Sequence, residues 1–225
     1  MIPLRDNLSS HSLPLMTLSL IMANFYVFYR EISLSDRALM SMIRQYGLTP
    51  IAFIEALNGG STVLSDYTSI FSNLFLHGGW MHIIGNMWYL WLFGDNVEDW
   101  LGRIQFLAFF LLTGFIANLS HILLDPFSTV PVIGASGAVS GILGAYLILY
   151  PTAKIKTLVP IFIFLQIFEV PAMLFLGLWF FLQLQSGAFA AAGSNIAWWA
   201  HIGGFLAGMI LIKIFPCRCK RSYYR

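Results

Sequence analysis

Apolar residues along this chain gather into six runs separated by polar or proline-bearing stretches, at 13–29, 80–93, 104–124, 136–150, 171–184 and 196–215. Runs of this length and apolarity are the signature of membrane-spanning helices. The second run is short if cut at Gly94, but it can extend toward Asp95. The stretch 158–184 is too long for one straight span and is interrupted by Pro160, Glu169 and Pro171. Proline begins or breaks a helix, so the fifth span starts near Pro171, and 157–170 becomes an interfacial or re-entrant segment. The expected fold class is all-α: a polytopic, six-transmembrane-helix bundle.

The organisation follows from these spans. Residues 1–12 form a cytoplasmic N-terminal segment, 13–215 the membrane domain, and 216–225 a basic cytoplasmic tail. The loop 30–79 is the one long extramembrane piece. Its segment 37–44 has an amphipathic, helix-like pattern and 51–57 is a second short apolar run, which together read as packing on the outer membrane face. The first run lacks the basic start and small-residue cleavage site of a signal peptide and is read as a retained span. Basic residues set the orientation. Arg5, Arg103, Lys154, Lys156, Lys213, Arg218, Lys220, Arg221 and Arg225 fall on one side, against Arg30, Arg37 and Arg44 on the other. Short cytoplasmic loops are rich in Lys and Arg, so both termini are expected in the cytoplasm.

Composition narrows the class. The chain has 225 residues, 58% hydrophobic and 10% charged, whereas soluble domains are about a quarter charged. Its mean hydropathy of +0.77 agrees. A net charge of +2 is too small to suggest nucleic acid, and no basic stretch is interleaved with aromatics, so no nucleic-acid partner is expected. Cys217 and Cys219, the two cysteines, both lie in the tail, which leaves no disulfide framework and no thiol near the polar positions discussed next. The tail could accept a lipid at these cysteines, although reduced thiols are the simpler reading. Its basic residues would meet anionic headgroups.

His82, Asn86, Ser136 and His201 interrupt the apolar runs. Polar groups at membrane depth cost several kcal/mol unless they find partners, so they mark a functional site by default. Spans two, four and six run in the same direction, from outside to cytoplasm. Each of these residues lies a turn or two below the outer surface, and His82 and Asn86, four apart, share one helix face. Ser136 opens its helix within Gly134-Ala135-Ser136-Gly137, where a helix N-terminus offers free backbone N–H groups. The serine could also be merely a cap or a small packing residue. Gly204 and Gly208, four apart, let span six pack closely on span four, which would carry His201 toward Ser136. A histidine in hydrogen-bond reach can take the serine proton and return it to a leaving amine. A histidine bonded to a backbone carbonyl is the bland alternative. No carboxylate lies in these spans near the outer surface, so the arrangement expected is a Ser–His dyad of Ser136 and His201. His82 and Asn86 suit an oxyanion hole, with the Ser136 backbone N–H as a further donor.

A zinc site built from His77, His82 and His201 lacks a His-Glu-x-x-His pattern and any accompanying carboxylate, so neither metal nor cofactor is expected. His77 reads as stabilising the loop–helix junction or the hydration of the site, and His121 as structural. Gln166 and Glu169 fall at the cytoplasmic start of span five, where an acidic group suits a helix N-terminus. Trp179, Phe180 and Phe181 could form a lateral gate facing span two.

With these residues in place, the chain resembles the rhomboid intramembrane serine proteases in their six-span bacterial form. The matching motifs are His77-Gly-Gly-Trp-Met-His82-Ile-Ile-Gly-Asn86, Gly134-Ala-Ser136-Gly137 and Ala200-His201-Ile-Gly-Gly204-Phe-Leu-Ala-Gly208, in that order on spans two, four and six. The resemblance implies cleavage of membrane-anchored substrates by Ser136 and His201, with His82 and Asn86 in the oxyanion hole. Two departures stand out. Some members carry a tyrosine four residues after the nucleophile, where this chain has Ser140, and the Trp-Arg pair some show in the first long loop is not evident between Tyr67 and His77.

The function expected is therefore an intramembrane serine endopeptidase acting near the outer membrane face. Its partners would be membrane lipids and transmembrane protein substrates with locally unstable helix near the cleaved bond, because regular helix hides its carbonyls in hydrogen bonds. The location expected is a bacterial cytoplasmic (inner) membrane. The rivals are a catalytically silent relative that binds transmembrane helices, which usually lacks the serine or the histidine, and a small transporter, for which no intramembrane ion pair or inverted repeat is present.

Overall fold

A computed structural model describes residues 1–10, 12–60, 63–161, 164–189 and 196–218. Cys219, Lys220, Arg221 and Arg225, counted above for the tail, lie outside the described residues. The helices follow the apolar runs: α1 Leu15–Ile32, α5 Trp80–Leu101, α6 Arg103–Leu124, α7 Ser136–Leu149, α8 Ala172–Ala188 and α9 Trp198–Leu211. Between α1 and α5 come α2 Asp36–Tyr46, α3 Pro50–Glu55 and α4 Leu64–Ser72. The amphipathic 37–44 segment is helical as its spacing predicts, and α2 buries none of its residues. Among the described residues only α6 is long and apolar enough by itself to cross a membrane; α7, α8 and α9 are apolar but shorter.

The core lies where α5, α6, α7 and α9 meet, around Phe93, Phe106, Phe109, Phe110, Tyr146 and Phe205. Helix α7 is its axis, with every residue from Gly137 to Tyr146 buried, as expected of a helix that is apolar or small all round. Its small residues allow contact at backbone level. A Cβ at Gly204 or Gly208 of α9 would overlap the carbonyl oxygen of Gly137 or Gly141, and one at Gly144 would overlap that of Phe205. Such small-residue seams let helices approach where dispersion, not hydrophobicity, drives association. The N-terminus of α1 is closed from another helix. Glu98 of α5, itself buried, accepts the backbone N–H groups of Met16 at 2.9 Å and Thr17 at 2.7 Å, satisfying donors a helix start leaves free.

The all-α expectation needs correction. Residues 2–6, 154–161 and 164–171 form a three-stranded antiparallel sheet in the order β1-β2-β3, with β1 Ile2–Asp6, β2 Lys154–Ile161 and β3 Phe164–Pro171. Residues 157–161 and 164–170 thus lie in paired antiparallel strands, and residues 2–6 supply the third strand. The signal was present in 154–157: Ile155 and Thr157 are buried while Lys154 and Lys156 are exposed, the period-two alternation of a strand. Pro160 is tolerated because β1 pairs only as far as Leu158, so at Pro160 the strand has β3 alone as neighbour. Gln166 and Glu169 belong to β3 and not to a helix start. Glu169 pairs with Lys154 at 3.3 Å across these two strands, both side chains exposed.

Strand β1 is anchored to the helices by polar contacts. Trp88 Nε1 donates to the Pro3 carbonyl at 2.6 Å, and the buried Asp6 carboxylate accepts from Tyr146 Oη at 2.6 Å and Asn96 Nδ2 at 3.0 Å. Asp6→Ala is expected to lower stability by about 1–3 kcal/mol, because it leaves the buried Tyr146 hydroxyl without that acceptor. Thermal unfolding in detergent micelles measures it, and an unchanged midpoint would contradict this role for β1.

Candidate active site

The loop entering α7 is held on both sides before it reaches Ser136. Leu48 and Val132 exchange backbone hydrogen bonds at 3.0 and 2.7 Å, and Gly134 N–H donates to the Asn73 carbonyl at 2.9 Å. Asn73 in turn forms a double amide pair with Asn118 of α6, at 3.1 and 2.8 Å, while Asn118 also donates to the Ile70 carbonyl at 2.7 Å. Both amides are buried and mutually satisfied, which makes this bracket rigid. Gly134 adopts φ +122°, a conformation that favours glycine, and a Cβ there would lie 2.6 Å from His82 Nε2. Its missing side chain is what lets the loop pass beneath the His82 ring.

From this loop Ser136 begins α7, and its Oγ lies 2.9 Å from His201 Nε2 of α9. The other ring nitrogen, Nδ1, lies 2.8 Å from Gln183 Oε1 of α8. Because an amide oxygen can only accept, the Nδ1 proton points at Gln183 and Nε2 is left with its lone pair toward the serine hydroxyl. Trp198 meets the His201 ring edge-on at a centroid distance of 5.9 Å, and Trp179 lies at 6.5 Å. Ser140, where a supporting ring was sought, instead donates back to the Ser136 carbonyl at 2.7 Å and does not hold His201. The side chains about the imidazole thus come from α8 and from the start of α9.

His82 and Asn86 sit on the facing wall. Gly78 N–H approaches His82 Nδ1 at 3.4 Å, which assigns the ring proton to Nε2, the atom lying over Gly134. Asn86 Nδ2 donates to His77 Nε2 at 3.1 Å, and His77 Nδ1 faces the Phe75 carbonyl at 3.3 Å. Burial and the neighbouring His82 push the His77 imidazole down to about 4, so it is neutral near pH 7 and its Nε2 accepts. His77 is further fixed through its backbone N–H, which donates to the Glu31 carboxylate at 3.1 Å. The loop–helix junction role read for His77 therefore has a physical form: it orients the Asn86 amide.

Ser136, His201, His82, Asn86 and Gln183 line one cavity of about 550 Å³, large enough for an extended peptide segment and water. His121, a buried residue of α6, also borders it. Among the described residues no cluster of His, Cys, Asp or Glu could hold a metal ion. Trp179 and Phe180 pack on Phe205 of α9, at 5.7 and 4.7 Å between centroids; Trp179 also borders the cavity, and of the three only Phe181 is exposed.

The sequence reading overlooked Asn73, Asn118, Glu31 and Gln183. Asn118 was legible, since it is a polar residue inside an apolar run and carries the same cost as Asn86. Gln183 sits near the end of its run, where a polar residue needs no special reason.

The chain is similar to known proteins. The rhomboid domain model matches residues 64–217, more than half of the chain. The mitochondrial rhomboid protein 1 of Saccharomyces cerevisiae is 33% identical over 151 residues, covering 63% of this chain and 40% of that protein. The putative rhomboid protease YdcA of Bacillus subtilis is 33% identical over 82 residues, covering 36% and 41%. RHOMBOID-like protein 5 of Arabidopsis thaliana is 30% identical over 156 residues, covering 68% and 46%. The chain spans less than half the length of these relatives.

Proposed function

This chain belongs to the rhomboid family, a family of membrane-embedded proteins, and on that premise we propose that it is an intramembrane serine endopeptidase. Six spans, α1, α5, α6, α7, α8 and α9, carry it across the bilayer with both termini on the cytoplasmic side. The cavity opens toward the outer face. Relatives include mitochondrial proteins, so the reading commits to a membrane and to this topology, and a bacterial inner membrane is its simplest setting.

The observation that carries the reading is the hydrogen bond between Ser136 Oγ and His201 Nε2. His201 takes the hydroxyl proton as Oγ bonds to the substrate carbonyl carbon. Negative charge collects on the former carbonyl oxygen, where the His82 Nε2–H, the Asn86 amide and the Ser136 backbone N–H are available to meet it. His201 then passes the proton to the leaving amine, the C–N bond breaks, and an acyl ester remains on Ser136. Water, deprotonated by the same imidazole, cleaves that ester and restores the serine. Substrates are membrane-anchored proteins whose helix is locally unstable at the cleaved bond, because the carbonyl must leave its helical hydrogen bond to be attacked.

A fluorophosphonate probe tests the reading on purified protein. It should label the chain at one site, Ser136, and absence of labelling would reject the serine mechanism in favour of a silent helix-binding relative. Asn86→Ala is expected to lower kcat by about 10²-fold while leaving activity measurable, because two other donors remain. A wild-type rate in that variant would remove Asn86 from the oxyanion site.

A further inference from the structure

Among the described residues the imidazole of His201 has two neighbours in hydrogen-bond reach, and of these only Ser136 has a part in the mechanism above. The second is Gln183, a half-buried side chain on α8 that borders the same cavity. We propose that Gln183 is the positioning residue for the base, so that Ser136, His201 and Gln183 work as a Ser–His–Gln triad. The proposal rests on the serine protease reading above.

Three observations converge on it. Gln183 Oε1 lies 2.8 Å from His201 Nδ1 on the side of the ring opposite Ser136, the place a third member must occupy. An oxygen there holds the proton on Nδ1 and keeps the Nε2 lone pair directed at the hydroxyl, which is the tautomer a general base needs. Finally, among the described residues no other group supplies this. Ser140 is turned to the Ser136 carbonyl, and Trp179 and Trp198 can fix the plane of the ring but accept no proton. A neutral amide in this role parallels the asparagine of Cys-His-Asn proteases, which positions without adding charge. The amide adds no charge to a cavity bordered by apolar helices.

Helix α8 brings a consequence. Its outer end meets α9 through Trp179, Phe180 and Gln183, so the orientation of the base depends on where α8 sits against α9. Any displacement of α8 that breaks the Gln183 contact frees the imidazole to rotate or to take the other tautomer.

The test compares Gln183→Leu, which keeps the volume and removes the acceptor, with Gln183→Glu, which keeps the acceptor. Both full-length proteins are purified in micelles and assayed for fluorophosphonate labelling rate, for kcat and KM on a transmembrane peptide substrate, and for thermal midpoint. Gln183→Leu is expected to lower kcat and the labelling rate on the order of 10²-fold, the lower end of what a positioned base supplies, with KM and midpoint near those of the parent. Gln183→Glu should recover most of that loss. Should the leucine variant fail to fold, Gln183→Met serves in its place. The proposal is overturned if the acceptor-free variant labels at the parental rate, if Glu is as slow as Leu, or if KM rises while kcat holds. Ser136→Ala separates this from failure of the underlying reading: labelling of that variant rejects the dyad itself, whereas its silence beside an active Gln183→Leu rejects only the role of Gln183.

Discussion

Ser136→Ala is expected to eliminate peptide cleavage while leaving a folded membrane protein. Among the described residues Ser136 Oγ makes one polar contact, with His201 Nε2 at 2.9 Å, and Ser140 reaches Ser136 through its backbone carbonyl, which the alanine keeps. The substitution removes one oxygen and no packing contact of consequence, so the thermal midpoint should move by less than about 1 kcal/mol equivalent. The rate should fall by about 10⁴- to 10⁶-fold, the range seen when a serine nucleophile is deleted and only binding and oxyanion donors remain. Cleavage of a transmembrane substrate in micelles or vesicles measures this, with fluorophosphonate labelling as the parallel readout. Normal turnover would falsify the assignment of the nucleophile. The same assay on His201→Ala should give a loss of similar size, since nucleophile and base act as one unit.

Gly208→Ala is expected to be the most damaging substitution far from the chemistry. Its single added methyl would overlap the carbonyl oxygen of Gly141 and crowd its Cα at 2.8 Å. The atoms in the way are backbone, so no side chain can swing aside and α9 must move away from α7. Overpacking of this kind costs about 1–3 kcal/mol, and more when a rigid backbone is the obstacle. The effect should also reach the active site. His201 lies two turns up the same helix, and displacing α9 lengthens the contact with Ser136. The variant should therefore lose both thermal midpoint and labelling rate, unlike Ser136→Ala, which loses labelling alone. Lost labelling at an unchanged midpoint would show that the α7–α9 seam does not carry stability.

Much of this was legible from residue order. The apolar runs located α1, α5, α6, α7, α8 and α9 to within a few residues of most boundaries, because burial against lipid or neighbouring helices demands an unbroken apolar stretch. The cost of polar groups at depth selected His82, Asn86, Ser136 and His201, and the structure gathers all four at one cavity. The glycine spacing in α9 anticipated the close approach to α7. Each of these is a local property, readable from a residue and its neighbours within a turn or two.

The remainder depends on partners distant in the chain. Strand β1 is a strand only because Ile2–Asp6 meets β2, about 150 residues later, and nothing in five residues announces that pairing. Asn73 and Asn118 become a bracket only once α6 lies beside the turn that follows α4. Gln183 looks like a polar residue near the end of an apolar run until α8 is laid against α9 and its amide meets the imidazole. Residue order marks which side chains are too polar for their surroundings, since desolvation is a cost each residue incurs alone. Packing sets which of them satisfy one another, since a hydrogen bond exists only at the distance and angle that the assembled helices impose. For His201 that difference separates a histidine at the right depth from one whose Nε2 faces a serine and whose Nδ1 is held by Gln183.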